Sequence, residues 1–288
     1  MPDDRQPSAP TAASLGLAEF LGTFLLVFFG CGAVHAAVLT SAQTGLWQVA
    51  IVWGLAIMIA IYTIGAISGA HINPAITFAF AAWGRVGWGR VPLYVISQLL
   101  GAFAAAAVLY VLFSGLHIEQ EKNLGIRRGS PGSELTAMCY GEFFPNPGGA
   151  TEDGKFSMAK FRQMRSRFGQ GQAFLAEVLG TAILAMVVFA VTDAKNSGAP
   201  AAGFAPVFIG LTVAALISVI APLTQACFNP ARDFAPRVFS SLAGWGSLPF
   251  TSNGIGWLTV YILAPTAGAW IGAGIYERLI RPGLPAGR

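Results

Sequence analysis

The chain reads as an all-α membrane protein, with six transmembrane helices and two re-entrant half-helices in an inverted repeat. Three observations predict this. Of its 288 residues, 55% are hydrophobic and 10% charged, and mean hydropathy is +0.62, whereas a water-soluble domain carries about 25% charged residues. Six apolar stretches reach the roughly 20 residues a helix needs to cross a bilayer. The tripeptide Asn-Pro-Ala occurs twice, as Asn73-Pro74-Ala75 and Asn229-Pro230-Ala231, each time interrupting apolar sequence.

In chain order, Met1 to Ala13 carries Asp3, Asp4, Arg5 and three prolines and reads as a disordered tail. It is no signal peptide, because it lacks a basic start and the apolar run after it is long enough to span. Spans are expected at Ser14–Leu39, Leu46–Ala66 and Val91–Ser114, then at Gln172–Val191, Ala201–Ala221 and Gly256–Ile280. Pro74–Trp83 and Pro230–Leu242 are too short to cross and read as half-helices. The folded unit is therefore residues 14–282, divided into repeat one (14–114), a polar central loop (115–171) and repeat two (172–282), with 283–288 a C-terminal tail.

The halves repeat in sequence. Ala18-Glu19-Phe20-Leu21-Gly22-Thr23 returns 158 residues later as Ala176-Glu177-Val178-Leu179-Gly180-Thr181, and Asn-Pro-Ala returns after 156. Gly101-Ala102-Phe103 returns after 167 as Gly268-Ala269-Trp270. With three spans per repeat, the second copy enters from the opposite face, which puts the functional site at the repeat interface near the bilayer midplane.

Each Asn-Pro-Ala suits a helix start, since proline is tolerated in the first turn and asparagine caps it. Two helix N-termini at membrane depth need a cavity to line. Each carries roughly half a positive charge, so together they repel cations and accept neutral solutes with lone pairs. Ahead of them, Gly69-Ala70-His71 and Gln225-Ala226-Cys227 are expected to be extended, with carbonyls forming acceptor ladders toward Asn73 and Asn229. His71 reads equally well as a loop brace.

Arg232 follows the second tripeptide where the first has Ile76. An arginine at membrane depth costs at least roughly 2.5 kcal/mol, so it reads as a pore-lining donor that also repels cations. Glu19 and Glu177, matched intramembrane carboxylates, read as braces for the irregular backbone before each half-helix, whose N–H groups lack partners. Cys31, Cys139 and Cys227 are far apart, odd in number and not at metal-ligand spacing, so neither a metal nor a cofactor is expected. The basic residues form no nucleic-acid footprint, and no nucleophile–base set for an enzyme is visible. Lysine and arginine counts on the two faces are nearly even, and long loops translocate regardless of charge, so orientation is not assigned.

Ser68-Gly69-Ala70-His71-Ile72-Asn73-Pro74-Ala75 and Asn229-Pro230-Ala231-Arg232-Asp233-Phe234 resemble the major intrinsic protein family, the aquaporins and glycerol facilitators. The likeness runs from about Leu15 to Pro282, outside the charged part of the central loop. Asp233, followed by Arg237, is similar to the glycerol-conducting branch and has a structural role there. The resemblance maps the family's narrowest point onto Trp53, Ile217, Ala226 and Arg232. It departs from bacterial glycerol facilitators, which place Gly and Phe where Ile217 and Ala226 stand. It implies a passive channel for glycerol, water, and in some members urea or metalloid hydroxides, excluding protons and ions. A homotetramer in the cell membrane with cytoplasmic termini is implied too. A water-selective channel and a metalloid channel stay open as alternatives. Ion-coupled transport is disfavoured, because only Glu19 and Glu177 qualify as a midplane titratable pair.

Overall fold

The computed structural model describes residues 9–152 and 155–285. The expected disordered tail falls mostly on residues 1–8, and the expected C-terminal tail partly on 286–288; both stretches lie outside the described residues. Six helical spans are present. Four are single helices close to the sequence boundaries: α1 (Ala12–Thr40), α2 (Leu46–Ser68), α7 (Gln170–Val191) and α8 (Ala205–Thr224). Thr11 caps α1 through its side chain, so the helix starts two residues inside the stretch assigned to the tail. The sixth span runs through α11 (Gly256–Leu258), a π-helical turn (Thr259–Leu263) and α12 (Ala264–Ile275).

The half-helices are α3 (Pro74–Ala82) and α9 (Pro230–Ser240), the second followed by a single-turn α10 (Leu248–Thr251) on the way to the sixth span. Asn73 Oδ1 accepts from Ala75 N, and Asn229 Oδ1 from Ala231 N and Arg232 N, with the following proline in the first turn. Sequence thus dictates both starts through one capping chemistry.

Two expectations need correction. The third span does not stop at Ser114: α4 runs from Val91 to Leu124, because a single Gly115 is tolerated inside a helix and the chain continues until Gly125, which ends it in the left-handed conformation at φ 64°. Nor is the central stretch 115–171 a polar loop. It contains α5 (Glu134–Ala137), a two-stranded hairpin of Thr151–Glu152 with Lys155–Phe156, and α6 (Met158–Arg167). Its apolar residues Leu135, Met138, Tyr140 and Phe143 are buried with Trp245 and Leu248. An apolar run inside a nominal loop has to be covered, and here it folds inward over α9.

Glycines set the helix crossings. A Cβ on Gly101 of α4 would lie 2.2 Å from Phe20 O of α1, and one on Gly268 of α12 would lie 2.4 Å from Val178 O of α7. The two repeats meet where α2 crosses α8, with Gly54 and Gly210 backbone to backbone; a Cβ on either would sit 2.7 or 2.4 Å from the other's carbonyl oxygen. These contacts need small residues for helices in lipid to approach so closely. They carry the inverted repeat into three dimensions.

Candidate functional site

The loops before α3 and α9 are not extended as the sequence suggested. Ala70, Ile72, Gln225, Ala226 and Phe228 all have positive φ, between 44° and 66°. In an extended strand successive N–H groups point opposite ways; a left-handed residue between neighbours turns them toward one anion. That anion is present in each half. Glu19 accepts from His71 N at 2.9 Å and Ile72 N at 2.8 Å, and from Ser68 Oγ and Gln98 Nε2. Glu177 accepts from Cys227 N at 3.0 Å, Phe228 N at 2.9 Å and Thr224 Oγ1 at 2.6 Å. Tyr94 and Tyr261 donate to the Ser68 and Thr224 carbonyls that start the two loops. Gln98, Thr77 and both tyrosines escape a reading of the sequence, because nothing in a linear pattern marks a polar residue that closes a network.

The loops also lock each other. Asn73 Nδ2 donates to Phe228 O and Asn229 Nδ2 to Ile72 O, both at 2.8 Å. Each amide keeps a second N–H. Among the described residues, the carbonyls of Gly69, Ala70, His71, Gln225, Ala226 and Cys227 accept no backbone hydrogen bond. His71 is also fixed by its side chain, with Nδ1 3.2 Å from Thr77 Oγ1.

Three cavities lie in series along this seam. One of about 230 Å³ is bordered by Trp53, Ile217, Gln225 and Arg232. A second, of only about 40 Å³, shares Trp53, Ile217 and Arg232 with it and adds Ala226, Asn73 and Asn229. A third, of about 590 Å³, continues from Asn73 and Asn229 past His71 and Gly69. The middle chamber is the tightest of the three, with room for only a few waters. Trp53, Ile217, Ala226 and Arg232, four residues from four parts of the chain, therefore meet at one constriction, each at most 4% exposed. Trp53, Ile217 and Ala226 give it apolar walls, and the Arg232 guanidinium lies over the Trp53 ring, 4.3 Å from its centre.

Arg232 is paired by a residue that sequence reasoning missed. Its Nη2 lies 2.7 Å from Glu142 Oε1, while Nη1 is buried without a protein partner among the described residues. Glu142 comes from the central connection. Burial pushes its carboxyl above the ordinary range, and the Arg232 charge pulls it back. Asp233 holds it in place: its Oδ1 accepts from Glu142 N at 2.7 Å and from Arg237 Nη2 at 2.7 Å, and Arg237 Nη2 also donates to Glu142 O. Gln225 turns its side chain the same way, accepting from Phe143 N at 2.7 Å. The available signal was Ala137-Met138-Cys139-Tyr140, an apolar run too hydrophobic for a solvated loop.

The chain matches known proteins along most of its length. The family model described as "Major intrinsic protein" matches residues 8–276. The chain is 42% identical to the glycerol uptake facilitator protein of Pseudomonas aeruginosa, over 97% of its own length and 94% of that protein's. It is 39% identical to the glycerol uptake facilitator protein of Escherichia coli, over 93% and 89%. It is also 39% identical to the propanediol uptake facilitator PduF of Salmonella typhimurium, over 94% and 95%. The X-ray structure of the aquaglyceroporin from Plasmodium falciparum superposes with a TM-score of 0.78 at 24% identity, covering 94% of this chain and 98% of that one, a likeness of fold.

Proposed function

The chain belongs to the major intrinsic protein family, and from that premise we propose that it is a passive membrane channel for small uncharged polyols, chiefly glycerol. Water passes too, with urea and metalloid hydroxides as further candidates. One observation carries the reading. The constriction has Trp53, Ile217 and Ala226 on its apolar sides and, on the other, a buried Arg232 Nη1 with no protein partner among the described residues. A polyol has that same division, with a carbon edge for the apolar walls and hydroxyls for Arg232 and then for the free N–H of Asn73 and Asn229. The freed carbonyls of Gly69, Ala70, His71, Gln225 and Cys227 replace the water that the solute sheds. Arg232 and the two half-helix N-termini oppose cations and hydronium. Glu19, Glu177 and Asp233 act structurally, holding the loops and the central connection.

The reading also includes a homotetramer with one pore per chain, in a bacterial cell membrane with cytoplasmic termini. It rests on the family, whose facilitator members at about 40% identity are not enzymes by name.

Stopped-flow light scattering on proteoliposomes tests it. Rapid re-swelling after a glycerol challenge, abolished in Ile217→His while sucrose-driven shrinkage persists, is the expected result. Fast shrinkage in sucrose with no re-swelling in glycerol would instead make this a water channel.

A further inference from the structure

Two of the chain's three histidines and one of its three cysteines meet away from the pore. His35 stands near the end of α1, His117 on the part of α4 beyond the expected span, and Cys139 just after α5. One ligand atom from each lies within 4.8 Å of the other two. All three residues are fully buried, and none borders the three cavities described above.

The hydrogen bonds leave one nitrogen of each ring free. His35 Nδ1 is 2.7 Å from Cys31 O, and since a carbonyl only accepts, Nδ1 carries the proton and Nε2 the lone pair. His117 Nε2 lies 3.3 Å from the Tyr140 hydroxyl. The unpaired nitrogens are then His35 Nε2 and His117 Nδ1, both without a partner among the described residues. Buried polar atoms are rarely left so. Cys139 is a free thiol. With His117 in the tautomer that donates from Nε2 to the Tyr140 hydroxyl, each histidine's other nitrogen makes the kind of hydrogen bond that orients ligating imidazoles.

We propose that His35, His117 and Cys139 form a buried binding site for monovalent copper. The donor set is two imidazoles and a thiolate, which suits soft or borderline cations. Charge and coordination number choose between them. Cu⁺ with one thiolate is neutral, whereas Zn²⁺ would leave a net positive charge in a pocket walled by Phe113, Tyr140 and Trp245. Structural zinc takes four ligands almost without exception, and no fourth His, Cys, Asp or Glu joins the three among the described residues. Loading is not a redox step: the ion enters as Cu⁺, the Cys139 S–H proton leaves to solvent, and two nitrogen lone pairs and the thiolate bind. Bonds of about 2.0–2.3 Å draw the three ligand atoms inward by up to about an ångström. The bound ion would clip the central connection, three residues before Glu142, to α1 and α4.

The test uses metal-free full-length protein in detergent, kept anaerobic and titrated with Cu⁺ held as its coloured bicinchoninate complex. Size-exclusion chromatography verifies that each sample is folded. The expected result is withdrawal of one Cu⁺ per chain, with a thiolate-to-metal ultraviolet band and a thermal unfolding temperature several degrees higher. Cys139→Ser and His117→Ala should each weaken binding at least 100-fold, while Cys31→Ser retains it. Monodisperse wild-type protein that withdraws no Cu⁺ overturns the proposal. So does stoichiometric Zn²⁺ binding that Cu⁺ cannot displace, or binding that survives Cys139→Ser.

Discussion

At the scale of single residues, Arg232 and Glu142 carry the most weight. Among the described residues Arg232 is the one fixed cation lining the constriction, so on the proposed reading Arg232→Val removes both a donor for hydroxyls and the charge barrier. Its expected outcome is a cation leak measurable as current across planar bilayers, with the glycerol pathway still open; an intact cation block would assign exclusion to the half-helix dipoles alone. Glu142→Ala strips the buried guanidinium of its partner, which costs on the order of 3–5 kcal/mol. Thermal unfolding in detergent should move down accordingly, and Glu142→Gln, which keeps an acceptor near Nη2, should lose less. Arg232 was legible in the sequence because a charge directly after a helix start, inside apolar surroundings, needs a polar lumen to face. Glu142 was not, because one of six carboxylates in a 57-residue connection gives no sign of where that connection folds. The copper-site residues were hidden for the same reason: His35, His117 and Cys139 become neighbours only once α4 is lengthened and the connection turns inward.

At the scale of elements, the six spans and two half-helix starts followed from hydropathy, capping and proline placement, and the structure places them within a few residues of the expected positions, α4 excepted. The spacing of Gly268 and Gly272 marks a surface for close helix packing, but pattern alone names neither the partner nor the distance. Gly272 of α12 faces α7 so tightly that a Cβ there would lie 1.9 Å from Ala182 O. Gly272→Ala must push the two helices apart, at the roughly 1–3 kcal/mol typical of overpacking, and the unfolding temperature should drop. Gly115→Ala, where nothing lies within 4 Å of the new Cβ, serves as control and should be neutral or slightly stabilising. Equal shifts in the two variants would mean that the crossing is looser than described.

At the scale of the whole molecule, the crossings of α1 with α4, α7 with α12 and α2 with α8 fix both repeats around one seam of cavities. A scaffold so closely packed favours a standing pore over a carrier that alternates between two openings. Glycerol flux into proteoliposomes should therefore rise linearly with the gradient and ignore an imposed pH difference; saturation together with proton drive would contradict a passive pore. The mutual bond of Asn73 to Phe228 O and Asn229 to Ile72 O has a consequence for biosynthesis. When the first 114 residues have left the ribosome, the partner for Asn73 has yet to be translated. The first half must wait in the bilayer with its re-entrant loop unlatched until the second arrives. Maturation is then a late event that completes both halves at once, and in a nascent chain halted before Phe228 a cysteine placed at residue 73 should react with a small thiol reagent faster than in the full-length chain.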